Sequence, residues 1–236
     1  AIQLKQEREA AFTKATAGME EYTSVLAELE KRYEAIEDYA LARSFFVEIP
    51  YRKMEMLRLA NRFTSLVAKA EKGEDVDEKT IDQLKEQAKA HFKNFDLSTE
   101  LDVSQALLRE YKAKLDPQYV PASMKGKKAD AVLNDYKEYV KKSTFLEEEQ
   151  VIELLSNWDK SSAKKVAKDP VYKLMNEFWN IYFNEVRPEY NKYSNEIDSL
   201  SKIYVKGLRN HVPGTYYPDA NSTLRLAYGQ VDNYNP

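Results

Sequence analysis

Apolar residues recur every third or fourth position through most of the chain, which is the spacing of one face of an amphipathic α-helix. Helical stripes run from Met19 to Pro50, from Met54 to Lys72 and from Pro170 to Leu208. The first of these stripes consists of Tyr22, Leu26, Leu29, Tyr33, Ile36 and Tyr39. The pattern predicts a mainly α protein, an elongated bundle of long, kinked helices with a short non-helical, strand-like tail.

Two prolines fall where a helix would otherwise continue. Proline lacks a backbone N–H and its ring collides with the preceding turn, so Pro50 should kink or break the helix that starts at Met19. Pro188 should bend the last long helix near Asn184, because the hydrogen bond from position 188 back to position 184 cannot form. The core-facing register is expected to continue past this bend through Phe178, Tyr182 and Val186.

Polar residues predict where several helices begin. Asp96–Thr99 supplies N-cap side chains, and Pro170 suits the first turn of a helix. Thr144-Phe-Leu-Glu147 matches a capping box, which would open a helix carrying Val151 to Leu155. The segment from Pro117 to Lys128 is expected to be the most mobile loop, with its lysines as solvated surface.

Residues 211–236 break the helical pattern. Pro213, Gly214 and Pro218 indicate a turn, and Ser222–Tyr228 alternates small or polar with apolar residues as a β-strand does. A lone strand cannot satisfy its own backbone N–H and C=O groups. The sequence therefore predicts a helical domain at residues 1–210, followed at residues 211–236 by the start of a β-rich domain.

Composition excludes several classes of function. The 36 basic and 39 acidic residues leave a net charge of -3, which provides no broad attraction to nucleic acid or to an anionic membrane. The absence of cysteine excludes disulfides and thiolate chemistry. No apolar run approaches the ~20 residues that a membrane span requires.

Few residues offer catalytic or metal-binding chemistry. His91 and His211 are the only histidines, and each is expected to be a surface or capping residue. Ala88 stands where the Glu of a bundle metal site would be, and Glu147–Glu149 suits the negative first turn of a helix. Motifs for nucleotide binding and for a serine nucleophile are absent. We therefore predict no catalytic, cofactor-binding or metal-binding residue and no cofactor.

Tyrosine is abundant, with 17 residues that lie largely on the helical stripes. Packing in the core, with the hydroxyl at a polar edge, is the default interpretation. A cleft lined by tyrosines that binds a sugar or a peptide is the alternative.

The segment Tyr217-Pro-Asp-Ala-Asn-Ser-Thr-Leu-Arg-Leu-Ala-Tyr-Gly229 closely resembles part of the bacterial dipeptidyl-peptidase 7 and 11 family. Gln6–Phe12 and Ile49–Arg58 resemble the helical insert of the same family. Its members are serine exopeptidases in which a large helical domain interrupts a chymotrypsin-like double β-barrel. The resemblance implies that this chain is the helical domain with the first strand of the C-terminal barrel half.

In that family the catalytic His and Asp precede the helical insert and the catalytic Ser follows it, so the resemblance places no triad member in this chain. It implies a periplasmic or cell-surface bacterial enzyme that removes dipeptides from the N-termini of peptide substrates. The helical domain would cap the cleft and exclude any chain beyond the amino end of the substrate. The chain by itself would be inactive, because the triad supplies the nucleophile and its base.

Composition and periodicity alone also suit a non-enzymatic helical bundle that binds a protein partner. A parent reading frame with a His and an Asp before Ala1, and a Gly-x-Ser-Gly after Pro236, would favour the peptidase. A homodimer is compatible with either interpretation.

Overall fold

A computed structural model of the protein describes residues 2–214, 216 and 229 of the 236. These residues are mainly α-helical, as predicted, and no strand occurs among them. The predicted strand at Ser222–Tyr228 lies outside the described residues, so the domain boundary at residue 211 stays a prediction. In the described part of the chain, no helix is long and apolar enough to cross a membrane.

The helices follow one another with short connections. In chain order they are α1 (Ile2–Ala15), α2 (Val25–Phe46), α3 (Glu55–Asn61), α4 (Thr64–Lys72), α5 (Glu78–Phe92), α6 (Leu97–Lys114), α7 (Ala129–Lys141), α8 (Glu148–Ser156), α9 (Lys160–Lys168), α10 (Pro170–Ile181) and α11 (Arg187–His211). Two π-helical segments, which we name π1 (Val47–Lys53) and π2 (Tyr182–Val186), follow α2 and α10 directly. Short 3-10 helices occupy Glu20–Tyr22, Pro117–Tyr119 and Ala122–Met124.

The chain forms two compact units. The terminal unit combines Ala1–Glu30 with Asp198–Pro236, and the central unit comprises Lys31–Ile197.

Aromatic packing around Phe12 holds together the described part of the terminal unit. The Phe12 ring lies 5.9 Å from the Tyr22 ring and 4.8 Å from the Tyr204 ring, centroid to centroid. Gly207 of α11 lies against the same ring, and a Cβ atom there would stand 2.4 Å from Cε2 of Phe12. The close approach of α1 to α11 therefore depends on the missing side chain of Gly207.

The central unit buries one extensive hydrophobic core. Within it α3 packs on α10, α4 on α9, α5 on α8 and α6 on α7. Burying one large apolar side chain contributes about 1.5–3 kcal/mol, so the largest buried residues dominate its stability. They are Tyr111, Tyr136, Phe63, Phe145, Phe178, Met54, Met56, Leu57, Leu59, Leu66 and Leu108.

π-helical turns accommodate both prolines that were expected to disturb a helix. Pro50 lies inside π1, where the Met54 N–H donates to the Ile49 carbonyl at 3.1 Å, five residues back, and extended backbone at Met54 then ends the helix. Pro188 follows π2, where the Arg187 N–H reaches the Tyr182 carbonyl in the same way. The helix therefore ends soon after Pro50, as predicted. At Pro188 the helical assignment is continuous through π2, and the bend expected near Asn184 stays a prediction.

The predicted register across π2 is confirmed. Phe178 and Val186 are buried, with 1% and 2% of their surface exposed, and Tyr182 is half-buried against the core.

Three sequence predictions on local structure are wrong. The helix expected from Met54 to Lys72 is two helices, because the chain turns at Arg62 and Phe63 to bury the Phe63 ring. Neither glycine nor proline marks this turn, so the sequence pattern could not reveal it.

The capping box is the second error, since α8 begins at Glu148 and not at Thr144. The Thr144 N–H donates instead to Oδ2 of Asp169 at 2.7 Å. This contact joins residues that are distant in sequence. By contrast, Asp96 caps α6 and Pro170 opens α10, as predicted.

The third error concerns residues 117–128, which were expected to form a mobile loop. Tyr119, Val120 and Met124 are buried in the core of the central unit. The Ser123 N–H also donates to a Glu177 carboxylate oxygen at 2.8 Å. The lysines of this segment, Lys125, Lys127 and Lys128, are exposed, as expected of solvated surface.

Candidate functional site

Five aromatic side chains beside π1 and π2 form one continuous cluster, which we call the aromatic surface: Phe46, Tyr51, Trp179, Tyr182 and Phe183. Phe46 stacks on Tyr182 with ring centroids 4.4 Å apart, and Trp179 stacks on Phe183 at 4.7 Å. Tyr51 meets Trp179 edge-on at 5.5 Å. Tyr51 and Phe183 remain 39% and 44% exposed. Solvent therefore reaches two rings, which pack on the half-buried Trp179 and, beneath it, the buried Phe46.

The two π-helical segments carry the exposed rings of this surface. Tyr51 belongs to π1 and Phe183 to π2. A π-helical turn holds one residue more than an α-helical turn, so it changes the direction in which the following side chains point. Because such turns are rare and frequently occur at functional sites, their pairing here marks the aromatic surface as the candidate site.

Asn61, the last residue of α3, fixes the orientation of the central indole. Trp179 Nε1–H donates to Oδ1 of Asn61, and the Thr64 hydroxyl is 3.5 Å from the same oxygen. An indole N–H usually finds a partner when it is buried. The hydrogen bond ties the aromatic surface to α3.

Cationic side chains stand at the edges of the surface. The guanidinium carbon of Arg187 lies 5.2 Å from the centroid of the Phe183 ring, a cation–π contact. Arg58 of α3 and Arg62, the residue that follows α3, are four positions apart in the chain, and with His91 of α5 they form what we call the arginine–histidine cluster. Arg62 donates to the side-chain oxygen of Gln87. Burial and the charge of Arg58 lower the pKa of Arg62.

His91 is buried within this cluster, with 4% of its side chain exposed. Its ring stacks on Phe95 and meets Phe92 edge-on, each at 4.9 Å. Nε2 has no hydrogen-bond partner among the described residues, and Nδ1 lies 4.0 Å from Oε2 of Glu55. Burial and the two arginines lower the pKa of His91 to about 4, so the ring is neutral at pH 7. The expectation of a surface or capping histidine is wrong at this position, because Phe92 and Phe95 enclose the ring.

A buried carboxylate anchors the start of α3. Glu100 of α6 accepts the backbone N–H groups of Glu55 and Met56 at 2.9 and 3.4 Å. It also accepts the hydroxyls of Ser104 at 3.1 Å and Tyr136 at 2.6 Å. Burial raises the pKa of Glu100 against the effect of these bonds, while the α3 dipole favours its charge. The helix that carries Arg58, and that Arg62 directly follows, is thereby held in place.

The described residues do not assemble an acid–base or metal centre. No group of three or more His, Asp or Glu side chains in the described ranges could hold a metal ion. His211 lies far along the chain from His91, in the last turn of α11, and contacts the Tyr22 ring edge-on at 5.5 Å. Nε2 of His91 is unpaired, so no hydrogen bond joins it to a serine among the described residues. The site offers aromatic and cationic contacts, which suit binding.

Sequence reasoning did not identify this site. It assigned Tyr182 to the core stripe and passed over Trp179 and Phe183, because a single helical period places them off the buried face. The available signal was the proximity of aromatic residues to Pro50 and Pro188, both of which were expected to disturb a helix.

The sequence was compared with known proteins. The profile of Peptidase S46 matches residues 1–236. An Asp/Glu-specific dipeptidyl-peptidase of Flavobacterium psychrophilum is 30% identical over 249 aligned positions, which cover 100% of this chain and 33% of the relative. The Asp/Glu-specific dipeptidyl-peptidase of Capnocytophaga gingivalis is 27% identical, with 100% and 34% covered. The dipeptidyl-peptidase 7 of Phocaeicola vulgatus is 29% identical, with 100% and 33% covered.

The chain thus spans about a third of the length of these relatives. Because the family profile matches it from the first residue to the last, the chain belongs to the Peptidase S46 family.

Proposed function

We propose that this chain is the helical cap of a serine dipeptidyl aminopeptidase, which releases dipeptides from peptide N-termini, and that it is inactive by itself. Two observations carry the proposal. The family profile matches the whole chain, and the chain covers only 33% of a relative that is named a dipeptidyl-peptidase. The described residues are helical, which supports the cap role. The serine-type catalytic residues would then belong to another part of a longer protein.

The environment of the histidines supports the absence of activity. A general base needs a pKa near the working pH and a nucleophile within hydrogen-bond reach. His91 has a pKa of about 4 and a buried, unpaired Nε2, and the neighbour of His211 is the Tyr22 ring. His91 is therefore unsuited to act as a general base at pH 7.

The cap would act by exclusion. A helical wall at the end of a protease cleft leaves room for two residues on the amino side of the cut bond, so that an endopeptidase site becomes an exopeptidase site. We further propose a periplasmic or cell-surface location, in keeping with peptide substrates. A relative named for Asp/Glu and a relative named dipeptidyl-peptidase 7 are 30% and 29% identical to this chain, so we assign no side-chain preference.

Two experiments test the proposal. First, the purified 236-residue chain is incubated with fluorogenic dipeptidyl substrates bearing acidic or apolar second residues. We expect no turnover above a mock purification, and reproducible turnover that survives repurification would contradict the claim of inactivity.

The second experiment tests the cap. In the Flavobacterium relative, the matching region is replaced either by this chain or by a short Gly/Ser linker. We expect the chimaera with this chain to release only dipeptides, and the linker variant to cleave N-acetylated peptides as well. A linker variant that folds, remains active and still rejects N-acetylated peptides would rule out exclusion by the helical region.

A further inference from the structure

Arg58 of α3 and Arg62, which directly follows this helix, have few anionic partners among the described residues. Among the described residues Arg62 bonds to the neutral amide of Gln87. Arg58 lies 3.8 Å from Oε1 of Glu55 and 3.5 Å from the Arg52 carbonyl. Like charges one helical turn apart repel each other. The carboxylate of Glu55 lies 3.8 Å from Arg58, and no ion pair joins Arg62 to a carboxylate among the described residues.

His91 adds a second, independent sign of an unmet interaction. Its Nε2 is buried without a hydrogen-bond partner among the described residues. A buried polar group without a partner is destabilising relative to a paired one. Glu55 lies 3.8 Å from Arg58 and 4.0 Å from Nδ1 of His91. Arg62 bonds to Gln87, one turn before His91 on α5, so the three side chains lie in one neighbourhood.

The cluster borders the exposed rings of the aromatic surface. Arg58 lies 3.5 Å from the carbonyl of Arg52, the residue after Tyr51. Tyr51 packs edge-on against Trp179, which stacks on Phe183. A ligand held at the arginines would thus lie beside apolar rings that solvent can reach. An inorganic anion gains no favourable contact from apolar rings, whereas a peptide combines a carboxylate with apolar groups that can pack on them.

We propose that Arg58 and Arg62 bind a peptide carboxylate, and that apolar parts of the same peptide lie on Tyr51 and Phe183. The planar fork of a guanidinium matches a carboxylate through two parallel N–H···O bonds, and a carboxylate would neutralise the repulsion between the two arginines. This inference rests on the proposed function only for the choice of peptide as ligand. It adds a binding site to the proposed cap role, and its test uses no hydrolysis.

The carboxylate can come from an acidic side chain or from the C-terminus of a peptide, and three dye-labelled probes distinguish these sources. The first is an N-blocked, C-amidated alanine hexapeptide that contains one Phe and one Glu. The second replaces Glu by Gln, and the third is the Gln peptide with a free C-terminal carboxylate. Binding to the 236-residue chain is measured by fluorescence anisotropy. We expect the Glu peptide to bind at least about 10-fold more tightly than the amidated Gln peptide, because a charge-assisted bond is lost.

Variants locate the site. Arg62→Met and Arg58→Met should each weaken binding of the Glu peptide by about 10-fold and leave the Gln peptide unchanged. Tyr51→Ala and Phe183→Ala should weaken both peptides. Arg109→Met is the matched control, since Arg109 is an exposed arginine of α6 that pairs with Asp130 at 2.9 Å. Equal binding of all three probes, or equal losses in Arg109→Met and Arg62→Met, would overturn the proposal.

The two histidines provide a readout that does not depend on affinity. A bound carboxylate favours the protonated imidazole, so saturating Glu peptide should move the NMR titration of His91 to higher pH. The signal of His211 is the internal control and should not move. A titration of His91 that is the same with the Glu peptide as with the amidated Gln peptide would place the binding site elsewhere. If only the free C-terminus produces the shift, the site takes the terminal carboxylate.

Discussion

At the scale of single residues, Gly207 shows how a missing side chain can determine packing. The residue lies inside α11, where alanine would ordinarily be favoured by about 1 kcal/mol. An added Cβ would, however, come within 2.4 Å of the Phe12 ring, far inside van der Waals contact.

We therefore expect Gly207→Ala to lower the free energy of unfolding by about 1–3 kcal/mol, because the Phe12 ring has to move. Chemical denaturation followed by circular dichroism measures the change. Asn210→Ala, at an exposed position of the same helix, should be neutral or slightly stabilising. Adding Phe12→Leu should recover part of the loss. Equal stability of Gly207→Ala and Asn210→Ala would contradict the close packing of α1 on α11.

His91 makes a second prediction at this scale, on the pH dependence of stability. Its pKa is lowered from 6.5 to about 4 in the folded protein. Between these values the unfolded chain binds more protons than the folded chain, so the contribution of His91 to stability is present above pH 6.5 and is lost as the pH falls towards 4.

Urea denaturation at pH 7 and pH 5 tests this effect. His91→Phe should lose less stability than the wild-type protein over this interval, because phenylalanine does not titrate. If the wild type and His91→Phe have the same pH dependence, His91 is not held neutral by its surroundings.

At the scale of helices and turns, Asp169 links two distant segments. Its carboxylate accepts the Val171 and Tyr172 N–H groups at the start of α10, at 2.9 and 3.3 Å. It also accepts the Ser143 hydroxyl at 3.0 Å and the Thr144 N–H at 2.7 Å. Asp159 caps α9 in the ordinary way, with one bond from the Ser162 N–H at 2.7 Å, and is exposed.

Replacing each of these aspartates by alanine separates a buried junction from a surface cap. Asp159→Ala should cost about 1 kcal/mol. Asp169→Ala should cost on the order of 3 kcal/mol, because it leaves several buried donors unpaired. Thermal and urea denaturation of both variants measure the difference. A loss in Asp169→Ala no larger than that in Asp159→Ala would mean that water replaces the carboxylate at the junction.

The same contrast explains which elements the sequence could predict. Asp96 and Pro170 act on residues within one turn, so they predict the starts of α6 and α10 correctly. Thr144 has the residues of a capping box, but its N–H bonds to Asp169, 25 residues away in the chain. The spacing of residues around Thr144 does not indicate that Asp169 is its partner. The aromatic surface was missed for the same reason, because it joins residues near position 50 with residues near position 180.

At the scale of the whole molecule, the charge balance is the property best read from the sequence alone. The 36 basic and 39 acidic residues give a net charge of -3, and the arginines of the cluster are too few to attract a polyanion. The helical fold class also followed directly from the spacing of apolar residues. The arrangement of the helices did not, since it depends on contacts between distant segments.

We accordingly expect no binding of nucleic acid. Electrophoretic mobility of labelled single- and double-stranded DNA at physiological salt should be unchanged by the 236-residue chain. A salt-sensitive shift of either probe, abolished by Arg58→Met with Arg62→Met, would contradict this expectation and would assign the arginine pair to phosphate binding.

The π-helical turn at Tyr182–Val186 also affects how insertions and deletions in related sequences should be interpreted. One extra residue in a turn is equivalent to an insertion that the helix absorbs without a loop. Each α-helical residue rotates the chain by 100° (3.6 residues per turn), so deleting one residue here would restore a plain α-helix and rotate the face presented on one side of the deletion. A relative with a one-residue gap at this place would therefore keep its helix and its core but lose the aromatic surface, and an alignment that ignores the gap would pair residues that point in different directions.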